Sequence, residues 1–464
     1  MGALDRPDRS RGDEAGRAGR RALFGWVLFD WASQPFYTLV VTFLFAPYFV
    51  NGFIADPARG AALWAYATGI AELIAAVLAP VLGALADAGQ PRKPWIAVFS
   101  AMLVVGLCAL WLAAPGRTDL AMIVLIGFGL ATVGAELATV FTNAMMQSLV
   151  STKRLGTLSG FGWAVGYVGG LVSLALVAGV LVADPNTGKT LLGLPPLVPL
   201  DPATREGDRL VGPFSALWYL VFVLPLFLFT PDLRAEPQRA GAVAVGLAQL
   251  MHSVRDAVRN HAQVALFLLA RMIYADGVGA VFAFGGIYAA TVFGWGATEL
   301  GLFGIILTIA GTIGALLGGP LDDAKGSKTV IVAGLLLFIV AAIGVLSVDA
   351  THVLFVVPVK AKLAGSAPFS SVGEQVCLAF AMLIGFASGP VQSSSRTLLA
   401  RMCPPDKTTE FFGFFSFSGK ITAFAAPLMI GAVTHATGSQ RLGIGTSLIF
   451  LVAGLLLLLK VKAK

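Results

Sequence analysis

The chain has 464 residues, of which 57% are hydrophobic and only 12% charged, with seven more Lys and Arg than Asp and Glu. Soluble domains carry roughly 25% charged residues, so this composition argues against an assembly of soluble domains and for a membrane protein. The positive excess falls in alternate loops between apolar runs, the pattern of membrane topology rather than of a nucleic-acid-binding surface.

The first 22 residues are polar and rich in Arg, Asp and Gly, which predicts a disordered tail. The apolar run that follows is too long for a signal peptide, contains Asp30 and lacks a small-residue cleavage site, so the tail is expected to be retained. Apolar segments then recur at 24–50, 62–86, 95–114, 119–148, 157–183 and 214–230, and again at 263–293, 298–320, 329–348, 373–400, 411–435 and 442–460. Each approaches the ~20 residues that a helical crossing needs. The expectation is an all-α polytopic membrane protein with twelve transmembrane helices in two pseudo-symmetric bundles, 23–230 and 263–464, joined by a linker at 231–262. With both termini cytoplasmic, the inner segments hold roughly 21 Lys and Arg and the outer loops roughly 8. This places the chain in the inner (plasma) membrane. HSVRDAVRNH in the linker is expected to form a short helix along the membrane surface.

The two halves echo one another. GALADAGQPRK follows the second span, with Gly83, Asp87, Arg92 and Lys93; GPLDDAKGSK follows the eighth, with Gly319, Asp323, Lys325 and Lys328. In each, Gly precedes Asp by four positions at a helix end, where Gly permits close helix approach and Asp can pair across a short turn. SGFGWAVGY of the fifth span aligns with FGFFSFSGK of the eleventh, so that Tyr167 matches Lys420. Repeats running in the same direction fit two halves related by an axis along the membrane normal.

Twelve spans in two sixes with this duplicated loop resemble the major facilitator superfamily. Within it, FDWASQPFY, SGFGWAVGYVGG, ARMIYADGVGAVFAFGGIYA, GPVQSSSRTLLARMCP and EFFGFFSFSGK are similar to the branch related to fungal vacuolar amino-acid effluxers. The resemblance implies alternating access and export or exchange of small solutes, with amino acids favoured. Ala88 and Ala324 stand where the superfamily loop usually has Arg after its Asp, which implies a differently wired gate.

The resemblance also implies a central cavity lined by the first, fourth, seventh and tenth helices. Their polar residues here are Asp30, Gln34 and Tyr37; Glu136, Thr139 and Asn143; Arg271, Tyr274 and Asp276; and Gln392, Ser393, Ser394, Ser395 and Arg396. Lys420 joins them from the eleventh. Intramembrane ionisable residues are costly and by default mark a pathway. Asp30, Arg271 and Arg396 fall at similar depths of roughly 10 Å at 1.5 Å per residue, with the acid in the first half and the arginines in the second. Cross-half ion pairs are one expectation; snorkelling of Arg271 and Arg396 toward phosphates is the other. Glu72 is read as a packing residue. Gly301, Gly304, Gly311, Gly314 and Gly318 are read as helix contacts, and Phe411, Phe412, Phe414, Phe415 and Phe417, which encircle their helix, as lipid-facing.

No HxxxH, HExxH, GxSxG or P-loop occurs, which argues against an enzyme and against ATP drive within the chain. Cys108, Cys377 and Cys403 lack CxxC spacing and the four histidines lack metal-ligand spacing, so neither cofactor nor metal is expected. The reading is a monomeric secondary carrier in the lipid bilayer, with protons as the favoured coupling ion. A facilitated carrier and a non-transporting sensor with a carrier fold are the alternatives.

Overall fold

The computed structural model describes residues 18–88, 91–182, 188–190, 192–232, 255, 259–363 and 366–462. Most of the expected tail and linker, including most of the HSVRDAVRNH segment, lies outside the described residues. The helices are α1 (Arg20–Phe53), α2 (Pro57–Asp87), α3 (Lys93–Ala109), α4 (Ala121–Leu149), α5 (Leu155–Leu176) and α6 (Glu206–Phe229) in the first half. The second half has α7 (Ala262–Phe293), α8 (Ala297–Lys325), α9 (Ser327–Leu346), α10 (Val372–Met402), α11 (Thr408–Ser418), α12 (Ala425–Thr437) and α13 (Gln440–Lys460). Among the described residues, eleven helices are long and apolar enough to cross a membrane.

Local chemistry sets many of these ends. The Asp56 carboxylate accepts from the Ala58 N–H at 2.9 Å, with Pro57 at the first helical position, and together they start α2. A Ser371/Glu374 capping box starts α10. Gly294, at φ +68°, ends α7 in the left-handed conformation that glycine adopts without strain. In α1 the α-helix stops at Pro35 and continues as a π-helix from Phe36 to Phe43, with Leu44 N–H donating to the Leu39 carbonyl.

The eleventh predicted span, 411–435, is not one helix. α11 and α12 are separated by a run of turns at 419–424, where Gly419 and Lys420 donate N–H bonds back three residues to Ser416 and Phe417. The break lies where α11 meets the Arg271 side chain of α7. A Cβ on Gly419 would sit 2.7 Å from Arg271 Nη1, so glycine here gives the guanidinium room. The outer loop 349–372 contains a short hairpin, β1 (His352–Val353) against β2 (Val357–Pro358).

Across the halves, α5 packs on α8 and α2 on α11; within them, α1 packs on α5 and α6, and α10 on α8 and α9. Small residues permit these approaches. Gly160 of α5 meets the Ala315 carbonyl and Gly319 of α8, and Gly318 of α8 meets Pro390 of α10. Gly311 and Gly314 also contact α10, and Gly304 contacts the Phe43 ring, as expected of helix-contact residues. Gly301 differs, with open space where its Cβ would be. Leu217, Leu224 and Leu228 on α6 and Ile313 and Leu317 on α8 remain exposed, an outer surface suited to lipid.

The expected lipid exposure of the α11 phenylalanines does not occur. Phe411, Phe412 and Phe414 are buried, because α11 is wedged between the halves: Gly413 packs on the Ala79–Pro80 backbone of α2, and Phe412 and Phe415 face the interior.

Candidate functional site: a charged cavity between the halves

A cavity of about 470 Å³ lies at the junction of α1, α4, α5, α7, α10 and α11. Asp30, Gln34, Tyr37, Glu136, Thr139, Asn143, Arg271, Gln392, Arg396 and Lys420 all line it, as the sequence led us to expect. A second lobe of about 300 Å³ shares Asn143, Arg271, Gln392 and Arg396 with the first and extends toward Tyr274, Val278 and Phe282. Tyr274 itself is held by a 2.6 Å hydrogen bond with Ser395. Ser393 and Ser394 of α10 are buried and line neither lobe, and Asp276 is the other exception. It is 6% exposed, lines neither lobe, and its Oδ1 has no hydrogen-bond partner among the described residues. A step of 100° per residue carries it from the cavity-facing side of α7 on which Arg271 and Tyr274 lie.

Arg396 of α10 is the best-bonded of the cavity cations. Its Nη1 donates to Asp30 Oδ2 of α1 at 3.3 Å and to Asn143 Oδ1 of α4 at 2.9 Å. Its Nε and Nη2 donate to the Ser159 hydroxyl and carbonyl of α5 at 2.9 and 2.8 Å. The guanidinium therefore pairs across the halves and does not snorkel. The glycines of SGFGWAVG make room for this: a Cβ on Gly162 would lie 2.7 Å from Asp30 Oδ2, and one on Gly166 would lie 3.3 Å from Asp30 Cβ.

Lys420 leaves the α11 break and places Nζ 3.1 Å from Glu72 Oε1 and 3.3 Å from Glu136 Oε1, while the Tyr37 hydroxyl donates to Glu136 at 3.3 Å. Glu72 is thus an ion-pair partner rather than a packing residue. Tyr167 and Trp163 of α5 also line the cavity, and Gln392 donates to the Tyr167 hydroxyl at 3.4 Å. The alignment of Tyr167 with Lys420 carried the signal for Tyr167, and an acid inside the second span was the signal at Glu72; nothing in the local sequence marked Trp163.

Toward the face where α2, α4, α6, α8, α10 and α13 end and α1, α3, α5, α7, α9 and α11 begin, which carries most of the basic residues, the duplicated loops act as mirror images. Asp87 at the end of α2 accepts from the Glu410 N–H in the first turn of α11 at 2.8 Å. Asp323 at the end of α8 accepts from the Gly156 and Thr157 N–H groups in the first turn of α5 at 2.7 and 2.8 Å. Each acid so caps a helix of the opposite half, where free N–H groups and the helix dipole favour negative charge. Gly83 and Gly319 allow this approach: a Cβ at either would meet backbone of the other half within 2.8 Å.

Of the expected basic partners, Arg92 meets Asp87 across the turn, whereas among the described residues the lysines do not pair with the gate acids. Arg92 is 4% exposed and reaches Thr409 Oγ1 at 3.0 Å and the Ala144 carbonyl at 3.1 Å, with Asp87 at 3.5 Å. In the second loop that position is filled by Arg401, from the end of α10, bonded to Asp322 at 2.5 Å and Asp323 at 2.8 Å. Lys93 and Lys328 do not bridge the halves. Their ammonium groups cap the C-terminal carbonyls of α6 (Phe227, 2.9 Å) and α13 (Leu459, 2.8 Å). Lys325 is exposed. Gln147 further joins the halves, donating to the Ala400 carbonyl and accepting from Thr408 at 2.8 Å. Among the described residues no group of three or more His, Cys, Asp or Glu could hold a metal.

A charged cavity at the meeting of two helix bundles, sealed on one face by paired loops, defines a carrier-type membrane fold. The chain belongs to the family described as vacuole effluxer Atg22 like, whose model matches residues 147–464, and the major facilitator superfamily model matches residues 4–174. It is 23% identical over 441 residues to the uncharacterized MFS-type transporter YxiO of Bacillus subtilis, covering 93% of each chain. It is 25% identical over 300 residues to autophagy-related protein 22-1 of Neosartorya fischeri, covering 61% of this chain and 44% of that one. The chain thus spans about half the length of that fungal relative. Among solved structures, the human organic anion transporter MFSD10 superposes with a TM-score of 0.72 at 14% identity, covering 95% and 99% of the two chains. FucP in its outward conformation gives a TM-score of 0.70 at 14% identity, covering 96% and 99%. The fold is that of the major facilitator superfamily, and the protein is a multi-pass membrane transporter.

Proposed function

We propose that the protein is a secondary carrier that exports a small metabolite, with amino acids or related compounds favoured, by alternating access coupled to protons. The observation that carries this reading is the cavity between halves whose opposing walls are joined by ion pairs, Asp30 with Arg396 and Lys420 with Glu72 and Glu136. Such pairs add little net stability, because desolvation offsets the attraction, but they serve well as a switch between two packings. The described hydrogen bonds and ion pairs between the halves run from the basic face up to the level of Lys420. This is the bonding of a carrier closed on that face, which we assign to the cytoplasm together with both termini. In this reading the membrane is the plasma membrane and the working unit is a single chain. Rocking of the halves breaks these bonds, and a carboxylate released from its cation, Asp30 or Glu136, then takes up a proton.

The test is flux from proteoliposomes loaded with labelled amino acids, with and without an imposed pH gradient. Export that the gradient accelerates supports the coupled carrier; export indifferent to the gradient makes it a facilitated one. No movement of any solute, with binding retained, identifies a sensor instead.

A further inference from the structure

We infer that Arg271 is the anchor for a substrate carboxylate, so that the transported solute is a small organic acid or zwitterion held by its carboxylate at the junction of the two lobes. This rests on the carrier reading above and names the substrate class of the same cavity. Three cations line the cavity, and two of them are matched: Arg396 with Asp30, and Lys420 with two carboxylates. Arg271 has no carboxylate within ion-pair distance among the described residues, although Asp276 lies only five positions on in α7.

Its hydrogen bonding is lopsided. Nη1 donates to the Phe415 carbonyl at 2.6 Å and to the Ser418 hydroxyl at 3.0 Å. The guanidinium plane lies over the Phe415 ring, 3.4 Å from its centroid, and Gly419 keeps the space beside it clear. A guanidinium has five N–H donors in a fixed fork. The two on Nη1 are used; among the described residues Nε and Nη2 have no acceptor, and neither is among the side-chain atoms sealed from solvent without a partner. The edge left open to both lobes is therefore the Nε–Nη2 edge, whose parallel N–H groups match the two oxygens of a carboxylate.

Anchoring by Phe415, Ser418 and Gly419 fixes that edge in place, so a ligand gains two charge-assisted bonds without ordering the side chain first. The smaller lobe continues past the arginine along Val278, Phe282 and Val391, an apolar wall suited to the hydrocarbon part of the same molecule. Tyr37, Glu136 and Gln34 lie across the larger lobe and suit a polar or ammonium group at the other end.

The experiment uses the purified full chain and matched probes: L-leucine and L-phenylalanine, their amides, and the deaminated acids 4-methylpentanoate and 3-phenylpropanoate. Thermal unfolding is followed against probe concentration in the wild type, Arg271→Gln and Arg271→Lys. At least one acid is expected to raise the unfolding temperature, while its amide needs about ten- to a hundredfold more for the same shift, the weight of a bidentate charged hydrogen bond. Arg271→Gln should abolish the response. Arg271→Lys, which keeps the charge but not the fork, should weaken it about tenfold or more, and it carries the test if the Gln variant does not purify. Amides as effective as acids, an undiminished response in either variant, or no response to any acid overturns the inference. Loading the same probes and D-glucose into proteoliposomes separates the two readings. Flux of amides or sugar that Arg271→Gln leaves unchanged removes the carboxylate anchor and keeps the carrier, whereas failure of every probe to cross removes both.

Discussion

Arg396 and Asp30 are 366 residues apart in the chain, and their side chains meet at 3.3 Å in the middle of the fold. The arginine is 3% exposed and bonded to α1, α4 and α5 at once, so one side chain of the second half is fastened to three helices of the first.

Asp30→Asn removes the charge but leaves a hydrogen-bond acceptor, so the protein should still be made and purify as a folded chain. Arg396 then sits in the cavity without its carboxylate. Proton-driven export is expected to fall at least about tenfold, the effect of losing roughly 1.5–3 kcal/mol from a charged hydrogen bond. Flux of a labelled solute under an imposed pH gradient measures this, and a variant that keeps its proton-linked flux would show that Asp30 is not the coupling acid.

Asp87 and Asp323 each hold the first turn of a helix in the opposite half. Replacing either with Asn should weaken closure of the basic face by about 1–2 kcal/mol, the usual worth of a helix N-terminal cap. Spin labels introduced at positions 153 and 325 report that closure as a distance. A second, longer distance population is expected in Asp87→Asn and in Asp323→Asn; an unchanged distribution in both rejects the gating role.

On the opposite face, Glu374 is fully buried and accepts from Lys362 Nζ and Trp295 Nε1, each at 2.8 Å. Glu374→Gln leaves the Lys362 ammonium only the more distant Glu299 carboxylate, at 3.9 Å, and halves the capping box. A loss of about 3 kcal/mol is expected, as for a broken buried pair. Lys362→Met in the Glu374→Gln background should return part of it, which a double-mutant cycle on the unfolding free energy will reveal.

Asp349, in the loop that follows α9, accepts from the Thr351 and His352 N–H groups at 2.9 and 2.7 Å and from Arg441 at 3.1 Å. The backbone N–H of Thr351, then those of His352 and the Arg441 guanidinium, hold its carboxyl well below the usual range. A depressed folded pKa gives stability that is fully present above the unfolded value, about 3.9, and is lost as pH falls through the lower folded one. Asp349→Asn should therefore lower the unfolding temperature at neutral pH, and the gap to wild type should close only in strong acid. A gap independent of pH would assign the effect to packing rather than charge.

Much of this architecture was legible in the chain. The repeated Gly-x-x-x-Asp marked both gate loops because glycine and an acid four residues apart have few other uses at a helix end. Most of the isolated ionisable residues marked the cavity because such groups are costly in lipid, Asp276 being buried away from it. Lys93 and Lys328 were misread because a basic residue beside a gate can equally cap the neighbouring helix of its own half. Glu72 was misread because its partner is 348 residues away. The α11 phenylalanines were misread because a helix apolar all round can be buried on every side by protein as well as surrounded by lipid.

The sequence by itself determined the all-α, multi-span character of the chain, the echo between its halves and most of the residues that line the cavity, since these follow from hydrophobicity and short-range spacing. Only the tertiary structure decided which cation meets which carboxylate, that the eleventh span breaks at 419–424, that Asp276 turns from the cavity, and that Arg271 has no carboxylate partner among the described residues. Those depend on how two bundles are rotated against each other, and a shift of one residue along a helix turns a side chain by 100°. Local spacing carries no information about that rotation; the packing of glycines against backbone across the two halves sets it.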